Sequence, residues 1–337
     1  MTGRAPVMKA IVYHRYGSPD VLEPAEVTTP TPADDEILIK IHAVSVNRSD
    51  WEGLTGTPLY ARMRGLLKPK HPILGSDIAG RVVRVGSKHR QFQPGDEVFG
   101  ELTGYKDGFA EYACDTGELL ALKPPTLPFE VASAIPQAGV IALQGIRDKG
   151  RVRPGQRVLI NGAGGGAGMF AVQLAKLYGA EVTGVDNTEK QDFMRSLGAD
   201  HVIDYTREDF TRNGRQYDLI LDVVAYRAAG AYRRALKPGG SYFAVGGSLA
   251  TIFQLVLLGP WIRRTTGQNL RLLAVQRSRA ALVAITELCE AGQLVPVIDR
   301  RFPLKGVPEA LRYLGEGHAK GKLVITVEGQ EAPGGAD

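Results

Sequence analysis

The feature that most constrains the fold is a glycine-rich turn set between an apolar run and a helical pattern. Arg157-Val158-Leu159-Ile160-Asn161 leads into Gly162-Ala163-Gly164-Gly165-Gly166-Ala167-Gly168, and helical periodicity continues over Ala167–Tyr178. A buried strand running into such a turn aims backbone N–H groups and the positive end of a helix dipole at one point, which suits a pyrophosphate. Glycine is needed because a Cβ would obstruct both the turn and the ligand's approach. The fingerprint reads Ala163-x-Gly165-x-x-Gly168 or Gly162-x-x-Gly165-x-x-Gly168, with Gly166 inside it. It implies a dinucleotide; the alternative is a flexible loop without a ligand.

The surrounding texture supports the dinucleotide. Strand patterns at Arg157–Asn161, Glu181–Asp186, His201–Ile203, Asp218–Val224 and Gly240–Val245 alternate with helical ones at Ala167–Tyr178, Lys190–Leu197 and Ala228–Leu236. Such alternation predicts a parallel sheet covered on both faces. Asp186 ends the second strand, where a carboxylate accepts ribose hydroxyls and repels a 2′-phosphate. Lys190 and Tyr205 pull towards the phosphate, so both NADH and NADPH stay open, with NADH weakly favoured by Asp186.

Upstream of about Pro125 the chain reads as short strands between turns. Ile37, Ile39 and Ile41 alternate with polar neighbours, and Pro94-Gly95-Asp96 punctuates the runs, which suggests a small β barrel or sandwich. At 337 residues, two domains are expected from a size of ~150 residues each. The 23% of charged and 44% of apolar residues suit a soluble globular protein, and a net charge of +5 without a basic arm argues against nucleic acid. Two cysteines exclude a disulfide framework. No secretory signal is read at the start, and the run Leu249–Ile262 is shorter than the ~18 residues of a membrane span. A cytoplasmic protein with no membrane partner is expected. Residues 1–7 read as a leader and 328–337 as a disordered tail.

Several further segments carry a resemblance: Val46-Asn47-Arg48-Ser49-Asp50-Trp51, Gly75-Ser76-Asp77-Ile78-Ala79-Gly80 and Phe92-Gln93-Pro94-Gly95-Asp96-Glu97-Val98. To these are added Gly108-Phe109-Ala110-Glu111-Tyr112, Leu197-Gly198-Ala199-Asp200 and Gly321-Lys322-Leu323-Val324. From about Met8 to Val327, the chain resembles the medium-chain dehydrogenase/reductase superfamily, in its zinc-independent quinone-oxidoreductase branch. The resemblance implies an α/β fold: a GroES-like β domain over residues 8–130, completed by 297–328, and a Rossmann doubly wound parallel sheet over 131–296. It also implies a homodimer.

In the zinc-dependent relatives a cysteine, a histidine and a third ligand hold the metal. Asn47, Ser76 and Ala138 stand at the matching positions, and none is a suitable zinc ligand. Without a metal to polarise a carbonyl, conjugate hydride addition is the easier chemistry, because charge delocalises onto an oxygen that hydrogen bonds can stabilise. The resemblance therefore implies an NAD(P)H-dependent reductase of quinones or α,β-unsaturated carbonyls acting on a small apolar substrate. The alternatives are a dinucleotide-binding protein without turnover and, less favoured, a zinc-type alcohol dehydrogenase.

The expected catalytic residues are Asn47, Asp50, Trp51 and Tyr60. Asn47 would hold the nicotinamide or donate to the substrate oxygen, and Tyr60 would deliver a proton. Asp50 would orient its loop or act on substrate, and Trp51 would stack on substrate or pack the β domain. Gln137, Gly246, Gly247 and Lys322 complete the expected cofactor set. Ile141 replaces a commoner threonine, and Gly166-Ala167 replaces glycine-valine. In Ser248–Arg264, Leu249, Ile252, Phe253, Val256 and Leu257 recur at helical spacing and predict one buried apolar face, at an interface or in a lid.

Overall fold

The computed structural model describes residues 6–327, so the tail expected over 328–337 lies outside the described residues, as do residues 1–5 of the expected leader. The described residues form two compact units, one of 6–136, 278–283 and 298–327, the other of 137–277 and 284–297.

The first unit has an antiparallel pair, β1 (Val7–Val12) and β2 (Glu23–Thr28), so Val7, read as the last residue of a leader, already lies in a strand. In β3 (Ile37–Val46) the alternation read from sequence holds, and Ile37, Ile39 and Ile41 are fully buried. A short helix, α1 (Arg48–Thr55), follows at once. Asn47 is its N-cap, and the Asp50 carboxylate accepts the Asn47 N–H at 2.7 Å, the reach-back arm of a capping box. Gly56 ends it at a φ of 63°, the left-handed conformation that glycine adopts without strain. The strand texture of this region hid α1, because eight mostly polar residues with only Trp51 and Leu54 as large apolar side chains make too short a pattern to stand out. The strands β4 (Asp77–Val85), β5 (Glu97–Glu101), β6 (Tyr112–Asp115) and β7 (Leu120–Leu122) then build the sheet, and α2 (Phe129–Ser133) closes the segment.

The second unit starts with α3 (Pro136–Leu143) and β8 (Arg157–Asn161), whose apolar run is buried on both faces. It continues with α4 (Gly166–Leu177), β9 (Glu181–Asp186), α5 (Gln191–Ser196), β10 (His201–Asp204) and β11 (Tyr217–Asp222). Then come α6 (Ala229–Arg234), β12 (Leu236–Ala244), α7 (Leu249–Thr266) and β13 (Asn269–Leu272), followed by α8 (Arg279–Glu290), of which the part from 284 on belongs to this unit. The six strands are all parallel, in the order β10-β9-β8-β11-β12-β13. Strand order reverses between β8 and β11, and in such sheets that crevice is where dinucleotides bind.

The chain then returns to the first unit with β14 (Ile298–Pro303), α9 (Val307–Gly315) and β15 (Lys322–Thr326), and the sheet there runs β14-β15-β3-β4-β5-β7, with β6 on β3.

One helix departs from its expected orientation. In α7 the buried side is Thr251, Leu255, Gly259 and Ile262, while Leu249, Phe253, Val256 and Leu257 are exposed. Gly259 explains the choice: a Cβ there would stand 2.4 Å from the Leu270 carbonyl oxygen, so only a face containing this glycine packs closely on β13.

Candidate active site

Three strand ends of the first unit converge on a buried polar cluster. Antiparallel register places Ser45 of β3 opposite Asp77 of β4, and β15 lies on the other side of β3 with Leu323 opposite Val46. Lys322 thereby arrives beside Asn47, and its ammonium donates to Asn47 Oδ1 at 2.6 Å. Asn47, Asp50, Ser76, Asp77 and Lys322 are all buried. Asn47 Nδ2 and the hydroxyls of Ser45 and Ser76 are buried without a hydrogen-bond partner among the described residues. Buried polar groups are nearly always satisfied, so orphans gathered in one place mark where a polar ligand atom fits. Two of them, on Asn47 and Ser76, stand at the positions matching zinc ligands.

Burial governs the ionisation here. Desolvation pushes the Asp50 carboxyl up to about 7, with Asp77 adding repulsion, against the backbone N–H groups of Asn47 and Gly75 and the charge of Lys322. The Lys322 ammonium is pushed down by desolvation and held up by Asp77 and Asp50.

The expected catalytic residues separate in role. Asp50 bridges two segments of backbone, accepting the Asn47 N–H on Oδ2 and the Gly75 N–H, at 3.1 Å, on Oδ1. Both oxygens are engaged and the side chain is fully enclosed, which is the arrangement of a group that orients its loop, one of the two roles expected for it. Trp51 packs α1 on α9, where a Cβ on Gly315 would lie 2.2 Å from its ring, as the packing alternative expects. Tyr60 is half-buried in the 3-10 turn Leu59–Arg64, and its side chain hydrogen-bonds Glu52, whose carboxyl is itself raised by burial. Lys322, expected among cofactor ligands, is buried in the first unit and bonded to Asn47.

In the second unit each glycine of the turn has a separate function. Gly162 has a φ of +84° as β8 turns back. A Cβ on Gly168 would lie 2.1 Å from the Gly162 carbonyl oxygen, so this glycine lets helix and strand touch. At Gly165, the N-cap of α4, a Cβ would meet only the Gly162 oxygen at 3.5 Å, leaving an open cradle. Gly166, Ala167 and Gly168 form the first turn of α4, where N–H groups have no intrahelical acceptor. Ala163 is fully buried behind them. This cradle fits a dinucleotide pyrophosphate.

Asp186 is held tightly beside the turn. Its Oδ2 accepts the Gly164 N–H at 3.0 Å, its Oδ1 accepts the Asn187 N–H at 2.9 Å, and Lys190 Nζ lies 3.4 Å away. Lys190 is thus buried and paired with the very carboxylate it was expected to oppose. Tyr205 is exposed, and its N–H donates to the Asp186 carbonyl. Gly246 and Gly247, with φ of 74° and 124°, form the turn after β12, and Gln137 lies half-buried in the first turn of α3.

One lock was not foreseen. Asn161, ending β8, donates through Nδ2 to Asp222 Oδ1 at 2.8 Å at the end of β11, and Tyr242 Oη donates to Asp222 Oδ2 at 2.9 Å. The bonds tie together the strands on either side of the order reversal. The signal was a polar residue ending each apolar strand.

Among the described residues no group of three or more His, Cys, Asp or Glu side chains could hold a metal. In the first unit the amide of Asn47 and the hydroxyl of Ser76 do not fit zinc.

Comparison with known proteins adds the following. A family model described as alcohol dehydrogenase GroES-like domain matches residues 33–125, and one described as zinc-binding dehydrogenase matches 197–325. A chloroplastic quinone-oxidoreductase of Triphysaria versicolor is 32% identical, covering 95% of this chain and 98% of its own length. A chloroplastic NADPH-dependent alkenal/one oxidoreductase of Arabidopsis thaliana is 33% identical over 94% of this chain and 79% of its own. The structure of the quinone oxidoreductase from Coxiella burnetii superimposes with a TM-score of 0.85 at 29% identity, over 96% of this chain and 100% of that one.

Proposed function

This chain belongs to the medium-chain dehydrogenase/reductase superfamily, in its quinone-oxidoreductase-like branch, and from that premise we propose that it is an NAD(P)H-dependent reductase of quinones or activated alkenes that works without zinc. The carrying observation is the Asn47 amide: Oδ1 held by Lys322, Nδ2 buried with nothing in the chain to bond.

When bound, the dihydronicotinamide supplies the hydride. The turn at Gly162, Gly165 and Gly168 and the first N–H groups of α4 hold the pyrophosphate. Asn47 Nδ2 donates to the substrate oxygen on which charge develops, and the adjacent ammonium strengthens that donor by polarising the amide. Lys322 is a positioning residue, as is Asp50, which fixes the N-cap backbone. Tyr60, backed by Glu52, is the proposed proton donor to the reduced product.

For cofactor choice we infer a modest preference for NADH. Asp186 is fixed by two backbone N–H groups, while the Lys190 charge is engaged by Asp186 and leaves a 2′-phosphate little attraction.

The test is oxidation of NADH and NADPH with a panel of small quinones and enones after chelation, beside cofactor binding followed by fluorescence. Turnover of at least one acceptor is expected. Binding of cofactor with no turnover across the panel would favour the non-catalytic alternative, and loss of activity on chelation would restore zinc.

A further inference from the structure

The outward side of α7 is apolar where a surface helix is ordinarily polar. Leu249, Phe253, Val256, Leu257 and Trp261 are exposed, Phe253 by 65% and Trp261 by 63%. They extend along one side of the helix for about 18 Å at ~1.5 Å per residue. No acidic residue occurs in α7, and the surrounding sequence is just as one-sided: residues 223–286 hold eight arginines, one lysine and no Asp or Glu. That stretch carries +9 in a chain whose net charge is +5, leaving the remainder at −4.

The fold concentrates part of this charge at one end of the apolar side. The Gln268 side chain, just past α7, donates to the Arg233 carbonyl at 3.1 Å, which brings the last turn of α6 beside the last turn of α7. Arg233, Arg234, Arg263 and Arg264 are all exposed there, and none has an ion-pair partner among the described residues. By contrast Arg227 and Lys237, in the same stretch, are paired with Asp209 and Asp218.

We propose that the outer side of α7, with the arginines at its end, docks this protein on the surface of a membrane containing anionic lipid. Apolar side chains with an exposed tryptophan enter the headgroup boundary, and guanidinium groups meet lipid phosphates. The helix is anchored in the protein by its inner side, so it lies on the bilayer. The shortness of the apolar run, which rules out a span, does not bear on this. A second copy of the chain fits less well. A two-fold interface brings the same patch against itself, so the arginines would meet only residues of a stretch, 223–286, that holds no carboxylate.

The test is co-sedimentation of the full chain with phosphatidylcholine vesicles, with and without phosphatidylglycerol, which requires no turnover and so stands apart from the reaction proposed above. Binding is expected only with phosphatidylglycerol, weakening as salt rises, with a blue shift in tryptophan emission that Trp261→Phe removes and Trp51→Phe keeps. Phe253→Glu should lower partitioning at least tenfold, and Arg263→Ala with Arg264→Ala by roughly thirty-fold. Circular dichroism establishes that these outward substitutions leave the fold intact. Equal sedimentation with and without phosphatidylglycerol, or unchanged binding by Phe253→Glu, would overturn the proposal. So would a wild type that ignores vesicles but passes from dimer to monomer on Phe253→Glu, since a second copy then covers the helix.

Discussion

Lys322 Nζ and Asn47 Oδ1 meet at 2.6 Å although 275 residues separate them in the chain. The ammonium fixes which way the amide points, so that Nδ2 remains as a donor. Asn47→Ala should therefore lower kcat about a hundredfold with a smaller change in KM, the usual cost of deleting one donor to a developing oxyanion. Lys322→Met should lower kcat too, and should destabilise the fold by about 3–5 kcal/mol by leaving buried carboxylates without their cation. Steady-state kinetics and urea unfolding of both variants check this.

Asp50 predicts a particular pH dependence of stability. Its carboxyl is raised to about 7 in the folded protein from an ordinary 3.8, so the folded state binds the proton more tightly. That contribution is complete below about pH 4 and is lost as pH rises through about 7, a change of up to about 4 kcal/mol. Asp50→Asn should flatten this part of the profile. It should also cost about 1–3 kcal/mol at low pH, because an amide NH₂ then faces a backbone N–H. Denaturation midpoints of both proteins from pH 4 to 8 give the comparison.

Two glycines of one turn should behave oppositely. Gly165→Val places its side chain in open space, so the fold should survive and dinucleotide binding should be lost. Gly168→Val drives a Cβ to 2.1 Å from the Gly162 oxygen, and should unfold or grossly destabilise the second unit. Thermal melts with cofactor titration separate them; unchanged affinity in Gly165→Val would exclude the cradle as the binding site.

Asp186→Ser should release Lys190 and remove a fixed negative charge at the ribose position. The ratio of kcat/KM for NADPH over NADH should rise about tenfold, or about 1.4 kcal/mol. A wild type already strongly selective for NADPH would place the selection on Tyr205 or elsewhere.

Trp51 tests a packing role against a catalytic one. Trp51→Ala should cost about 3–5 kcal/mol of stability. Trp51→Phe should keep kcat near wild type, since nothing in its surroundings assigns it a polar task. A large kcat loss in a stable Trp51→Phe protein would return the ring to the substrate.

The parallel sheet and its glycine turn were legible because their signals are local. An apolar run, glycines at set spacing and a helical period occupy one short stretch, and β8 and β9 fall at the bounds their patterns mark. The polar cluster at Asn47 was named in part from motif positions, yet its internal bonds were not. Which group Lys322 reaches depends on the register of β15 against β3, and Asp186 meets Lys190 only once a helical turn brings them together. Trp51 could be assigned to packing only after α9 brought Gly315 under its ring. The orientation of α7 shows the same limit most clearly. The apolar residues read at helical spacing turned outward, because the choice of buried face fell to Gly259, the residue small enough to let the helix touch the sheet. Sequence determined which segments could be strand, turn or helix; tertiary structure decided which side chains faced one another, because that depends on contacts between residues far apart in the chain.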